Sequence, residues 1–283
     1  MMALVVKYTI TASVILLMVG VGLGTTFAQI VDVLKQVWLV ARGLLANFLV
    51  VPLLIYVALV WLPITPDVKI GIMLMAAAPI APMAPSPFVQ MAKGDLAYAT
   101  GLMVLAALLS VILTPLILFL SLPKSAAGLG IDPIQIIELL ATVQLIPICV
   151  GMGVRHVSAA WAERLLQFVP KIGQLGLLVG VCLLLAVQAQ QILSIGLLAH
   201  LIILLLVIAS LCIGDWALIG ETAARRRALA IMTTVRNIPL AFLVANASFP
   251  GTAVAPVTLV FSVYSMIIAV VYARLMTPKG AKN

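Results

Sequence analysis

Few side chains in this 283-residue sequence could do chemistry, since only 16 Lys and Arg and 8 Asp and Glu carry charge. Arg236 stands apart from the rest. It is the one basic residue well inside an apolar run, nine residues beyond Arg227. At ~1.5 Å per helical residue it lies about 13 Å deep, near the middle of a ~30 Å hydrocarbon core. An arginine there costs at least ~2.5–3.5 kcal/mol on insertion scales, so it faces a partner or a wet cavity. Three roles fit: a countercharge for an anionic substrate, a fixed charge replacing a bound cation, or a cap on carbonyls opened by a nearby proline. Pro239 supplies that break, removing a donor and freeing the carbonyl of Val235, with Asn237 beside it. Thr233 and Thr234, one turn earlier, either line the site or bond back to their own helix.

A second break lies in Met75–Asp95, where Pro79, Pro82, Pro85 and Pro87 fall within nine residues. No regular helix passes through such a run, and broken backbone is tolerated in a bilayer only where protein or a water-filled cavity surrounds it. Ser86, between two prolines, is expected outside regular helix and exposed to whatever the break faces. Asn47 is the polar side chain in the middle of the run preceding that break, suited to an interhelical hydrogen bond or a ligand contact. The candidate substrate-contacting set is therefore Asn47, Pro82, Pro85, Ser86, Thr233, Arg236, Asn237 and Pro239. Glu138, Gln144 and the glutamines 188, 190 and 191 are taken as interface anchors. Cys149, Cys182 and Cys212 sit in apolar runs without CxxC spacing, and His156 and His200 lack zinc spacing or a nucleophile–base pattern. No catalytic set, metal site or cofactor is expected.

The elements that must hold these residues are membrane helices. The sequence is 65% hydrophobic and 8% charged, where a soluble domain carries about 25% charged residues. Hydropathy gives nine spans, roughly 8–24, 38–61, 70–91, 96–120, 134–154, 172–190, 195–213, 228–249 and 254–272. This division sorts 12 basic residues to one side and 3 (Lys7, Lys69, Lys124) to the other, with Arg236 inside a span. By the positive-inside rule the amino terminus lies outside and the carboxyl terminus in the cytoplasm. The basic residues form no aromatic-interleaved patch, which argues against nucleic-acid binding despite the net charge of +8. The segment 157–171 is either a short amphipathic surface helix or a connector.

The third and eighth spans are both interrupted, each followed by an unbroken helix. Paired interrupted helices in corresponding positions of two halves point to a transporter's binding site. Four spans precede the midpoint and five follow, so the halves have opposite orientation.

At this point the residues resemble the bile acid:sodium symporter superfamily along nearly the whole chain. Ala92-Lys93-Gly94-Asp95, followed by Thr114-Pro115, is similar to that family's AKGD…LLTP segment. Leu44–Leu54 and Leu145–Arg155 resemble its preceding helix and the start of its second half, and Arg236–Ala241 resembles its broken helix, usually Gln-Asn-Ser-Gly-Leu-Ala. The resemblance implies an all-α inverted-repeat fold with two broken helices crossing in a core (about 38–120 and 195–273). A panel (about 8–24 and 134–190) would face it, with substrate in the crevice between and two sodium ions behind the crossing. The sodium ligands are replaced here: the positions matching the family's hydroxyls are Ala99, Met103, Ala106 and Ala107. Its Glu and Gln in the second broken helix match Met232 and Arg236, and its Gln in the second span matches Asn47. Two cations 5 Å apart repel by roughly 3 kcal/mol at an effective dielectric of 20, so the guanidinium would also disfavour sodium.

The expectation is a non-enzymatic secondary transporter of a small anionic organic solute in a cytoplasmic membrane, working by alternating access without conventional two-sodium coupling. Sodium coupling through backbone carbonyls, or a non-transporting sensor or assembly subunit, are the alternatives. The coupling ion, whether proton, sodium or none, and the oligomeric state are left open by the sequence.

Overall fold

The computed structural model describes residues 2–81, 85–122 and 132–276. Within them every regular element is a helix. Seven helices are long and apolar enough to cross a membrane. Each coincides with one of the unbroken spans read from hydropathy, and the two interrupted spans appear as pairs of short helices.

Helix α1 (Met2–Gly24) is followed by α2 (Phe27–Lys35), a short amphipathic helix. Its start is set by a reciprocal cap: the Thr26 hydroxyl accepts from the Gln29 amide, and the Gln29 side chain accepts from the Thr26 amide. Next come α3 (Val37–Trp61), α4 (Pro66–Ala77), α5 (Pro85–Met91) and α6 (Leu96–Ser121). The second half holds α7 (Pro133–Val157), α8 (Ala159–Leu166), α9 (Val169–Ser194) and α10 (Leu197–Ala217). It ends with α11 (Ala223–Thr234), α12 (Ile238–Ser248) and α13 (Val254–Met276). The surface segment expected over 157–171 is α8, capped by Ser158 and carrying Trp161 exposed.

Two spans contain a π-helical turn, Ala46–Val50 in α3 and Ala141–Leu145 in α7. Both are followed two residues later by a proline, Pro52 and Pro147. A proline cannot donate to the carbonyl four residues back and its ring pushes that carbonyl aside, and a widened turn absorbs the mismatch.

Small residues fix the closest approaches. A Cβ on Gly22 would lie 2.1 Å from the Ile148 carbonyl, and one on Gly151 2.3 Å from the Val19 carbonyl, so α1 and α7 touch backbone to backbone. Gly173 and Gly180 likewise seat α9 against α1, at Leu17 and Ile10. Gly214 brings α10 onto α11, where its Cβ would meet Thr233 Oγ1 at 2.2 Å, and Gly71 brings α4 onto α13 at Val257. Without hydrophobic drive between helices in lipid, such contacts carry the packing. The half-helices α4 and α12 are largely buried, as is α11 from Ala228 onward, among α6, α10 and α13.

Candidate functional site: the crossing of two broken helices

Helix α4 stops at Ala77 because Pro79 cannot continue it, and α11 stops at Thr234 ahead of Pro239. The extended backbone beyond each stop pairs with the other. Ile80 and Arg236 form a single antiparallel β-bridge, with the Asn237 amide donating to the Pro79 carbonyl (2.8 Å) and the Ala81 amide to the Val235 carbonyl (3.3 Å). Two breaks some 155 residues apart in sequence therefore satisfy each other's freed groups. The Val235 carbonyl, freed by Pro239, is taken by this bridge.

Arg236 occupies the crossing and is 1% exposed. Among the described residues no acidic side chain pairs with it. Its Nε donates to the Thr233 carbonyl (3.1 Å), and its Nη1 to the carbonyls of Ala76 (3.0 Å), Ala78 (3.0 Å) and Asn47 (3.2 Å). Ala76 and Thr233 lie in the last turns of α4 and α11, where unpaired carbonyls carry partial negative charge. The guanidinium is thus a cation held by two helix C-termini and the π-turn of a third helix. Of the three roles, the carbonyl cap is the one this geometry displays. Among the described residues Nη2 has no hydrogen-bond partner, and neither do the equally buried side-chain Asn47 Oδ1 and Asn237 Nδ2.

The rest of the break is sealed with the same economy. The Thr114 hydroxyl donates to the Ala77 carbonyl (2.7 Å), so the carbonyls of residues 76, 77, 78 and 79 are each taken, two of them by Arg236. Nothing in the spacing of Thr114 announced this cap; its Thr-Pro sequence was visible, its partner was not.

The other candidates take part through backbone carbonyls and helix caps. Asn47 contributes its backbone carbonyl, because its carboxamide Nδ2 bonds back to the Gly43 carbonyl (2.9 Å) in the widened turn. The Thr233 hydroxyl bonds back to Leu229 (3.1 Å) and Ala230 (3.0 Å), leaving its carbonyl to Arg236. Asn237 caps α12 by accepting from the Leu240 amide (3.2 Å), and Pro239 sits in the first turn of that helix. Pro85 and Ser86 open α5, correcting the expectation that Ser86 lies outside a helix. Prolines are compatible with a first turn, whose amides lack intrahelical partners in any case. Pro82 lies outside the described residues.

Gln144 also departs from its expected place at an interface. It is fully buried in the π-turn of α7, with Nε2 donating to the Ala107 carbonyl (2.5 Å) and to Ser110 Oγ (2.7 Å) of α6, and with Oε1 unpartnered among the described residues. A polar residue in a span was legible; its reach across to α6 was not. The α6 positions Ala99, Met103, Ala106 and Ala107 are buried, as is Met232 on α11, so no side-chain oxygens from them enter the crossing. Among the described residues no group of three or more His, Cys, Asp and Glu could hold a metal.

Apolar spans around two interrupted helices that cross on a buried charge define a polytopic membrane protein of the transporter class. A family model described as the sodium bile acid symporter family matches residues 11–195, and the chain belongs to that family. The chain is 26% identical over 248 residues to the probable sodium/metabolite cotransporter BASS2 of rice chloroplasts (Oryza sativa subsp. japonica). That alignment covers 84% of the chain and 57% of the rice protein, so the chain spans little more than half of that relative's length. It is also 23% identical over 277 residues to the uncharacterized sodium-dependent transporter YocS of Bacillus subtilis (strain 168), covering 95% of the chain and 83% of that protein. The family match ends before the second break; Arg236 lies beyond it.

Proposed function

We propose that this protein is a secondary transporter that moves a small anionic organic solute across a cytoplasmic membrane by alternating access, with Arg236 as a built-in cation at the crossing. The observation that carries the reading is the seating of one guanidinium on the carbonyls of Asn47, Ala76, Ala78 and Thr233. Helix C-termini buried together need positive charge, and a covalently attached cation supplies it without an ion that must bind and leave. The open Nη2, with Asn237 Nδ2, provides donors for an anion if the packing around them loosens during transport.

The packing of α1 on α7 and α9, far more extensive than its packing on the half-helix α12, supports the panel and core division. Nine spans follow if each pair of half-helices counts as one. The 12-to-3 sorting of basic residues supports an external amino terminus.

Sodium coupling is the second reading, and the names of the rice and Bacillus proteins favour it. Uptake of labelled taurocholate and small monocarboxylates into proteoliposomes, with sodium or potassium outside, separates the two. Sodium-independent uptake lost in Arg236→Ala fits the fixed-cation reading. Sodium-driven accumulation that survives Arg236→Ala contradicts it.

A further inference from the structure

Away from the crossing, a cavity of about 520 Å³ opens on the side of the molecule that bears most of the basic residues. It lies where the end of α10, the start of α11 and the end of α13 meet. Its charged lining is Asp215, Arg226 and Arg227. Arg226 is spent on Asp215, donating to both its carboxylate and its backbone carbonyl, and the Tyr272 hydroxyl also donates to that carboxylate (3.4 Å). Arg227 spends one nitrogen, Nη1, on the Ala92 carbonyl (3.3 Å) and no acidic group pairs with it among the described residues. The lining therefore carries a net single positive charge.

We propose that this cavity holds the phosphate headgroup of an anionic phospholipid, with Arg227 as its main ligand. Three features select a lipid over a soluble anion. Trp216, 75% exposed, stands on the rim at the end of α10, the position in which indole rings mark the headgroup level of a bilayer. Cys212 in the lining and Ile208 one turn deeper on α10, with Ile267 and Val271 on α13, present exposed apolar surface leading from the cavity into the hydrocarbon layer. Basic pockets between membrane helices on the cytoplasmic side are suited to acidic headgroups, and that leaflet is the anionic one. Arg227 lies on α11, nine residues before Arg236, so a bound headgroup tethers the half-helix that delivers the guanidinium to the crossing.

The test is lipid binding by the purified full chain, measured by native mass spectrometry with phosphatidylglycerol or phosphatidylcholine of the same acyl chains, and with inorganic phosphate. Wild type should prefer phosphatidylglycerol by roughly fivefold or more, the ratio for about 1 kcal/mol per basic residue at a lipid surface. Arg227→Gln should reduce the preference to near unity, and Lys171→Gln, on the same side but outside the cavity, should leave it intact. Trp216→Ala, which alters an exposed rim residue and spares the fold, should weaken both lipids. Equal binding of the two lipids by wild type overturns the proposal, as does a preference retained in Arg227→Gln. Displacement of phosphatidylglycerol by millimolar phosphate would reassign the cavity to a soluble anion and overturn the lipid assignment.

Discussion

Arg236 Nη1 and the carbonyl of Ala78 lie 3.0 Å apart, joining the extended segment just past one broken helix to the cap residue just past the other. Ala76 lies at the same distance from the same nitrogen. A single side chain thereby closes the crossing that the backbone bridge between Ile80 and Arg236 begins.

Removing that side chain should expose a vacant cage. Arg236→Gln leaves several buried carbonyls unpaired, each costing about 1–3 kcal/mol before relaxation, so a loss of at least ~3 kcal/mol is expected in thermal unfolding. The same carbonyls are hard oxygen ligands. The variant should therefore gain stabilisation by sodium that the wild type lacks, read as a rise in Tm with sodium but not with choline. A wild type stabilised by sodium as strongly as the variant would refute the substitution of guanidinium for ion.

Thr114 offers a smaller test of the same seal. Thr114→Val keeps the shape and strands the Ala77 carbonyl, for an expected cost of about 1–3 kcal/mol. Thr114→Ser restores the hydroxyl and should recover most of it. Urea or thermal unfolding in one detergent compares the pair.

At Gln144 the two obvious changes should diverge. Ser110 Oγ also donates to the Ala107 carbonyl (2.8 Å), so Gln144→Leu leaves that carbonyl satisfied and removes the buried open Oε1. Its cost should stay within about 1 kcal/mol. Gln144→Glu sets a buried carboxylate against a carbonyl and should lower Tm much further, or bind a proton to avoid it. Equal melting temperatures for the two variants would show that the side chain does not face Ala107.

The glycines of α7 predict opposite outcomes two residues apart. Gly151→Ala drives a methyl group into the α1 backbone and should cost about 1–3 kcal/mol. Gly153 has open space around it, and Gly153→Ala should be neutral or stabilise by up to ~1 kcal/mol through helix propensity. Yield of monodisperse protein and Tm report both.

Membrane class, the seven unbroken spans and the positions of both breaks were legible in the residue order. They were so because hydropathy and proline act locally: an apolar run near 20 residues must be helical in lipid, and Pro79 and Pro239 must interrupt it wherever they fold. Arg236 was legible as the anomaly, since a charge at that depth is costly in any arrangement. Tertiary structure alone decided what answers it. The carbonyls of Asn47, Ala76, Ala78 and Thr233 belong to every residue type alike and leave no mark on the sequence, and Thr114 and Gln144 find their partners 37 residues away in the chain. Hydrogen bonds between backbone groups of distant segments depend on where the helices cross, which is a property of packing and of no single stretch of residues.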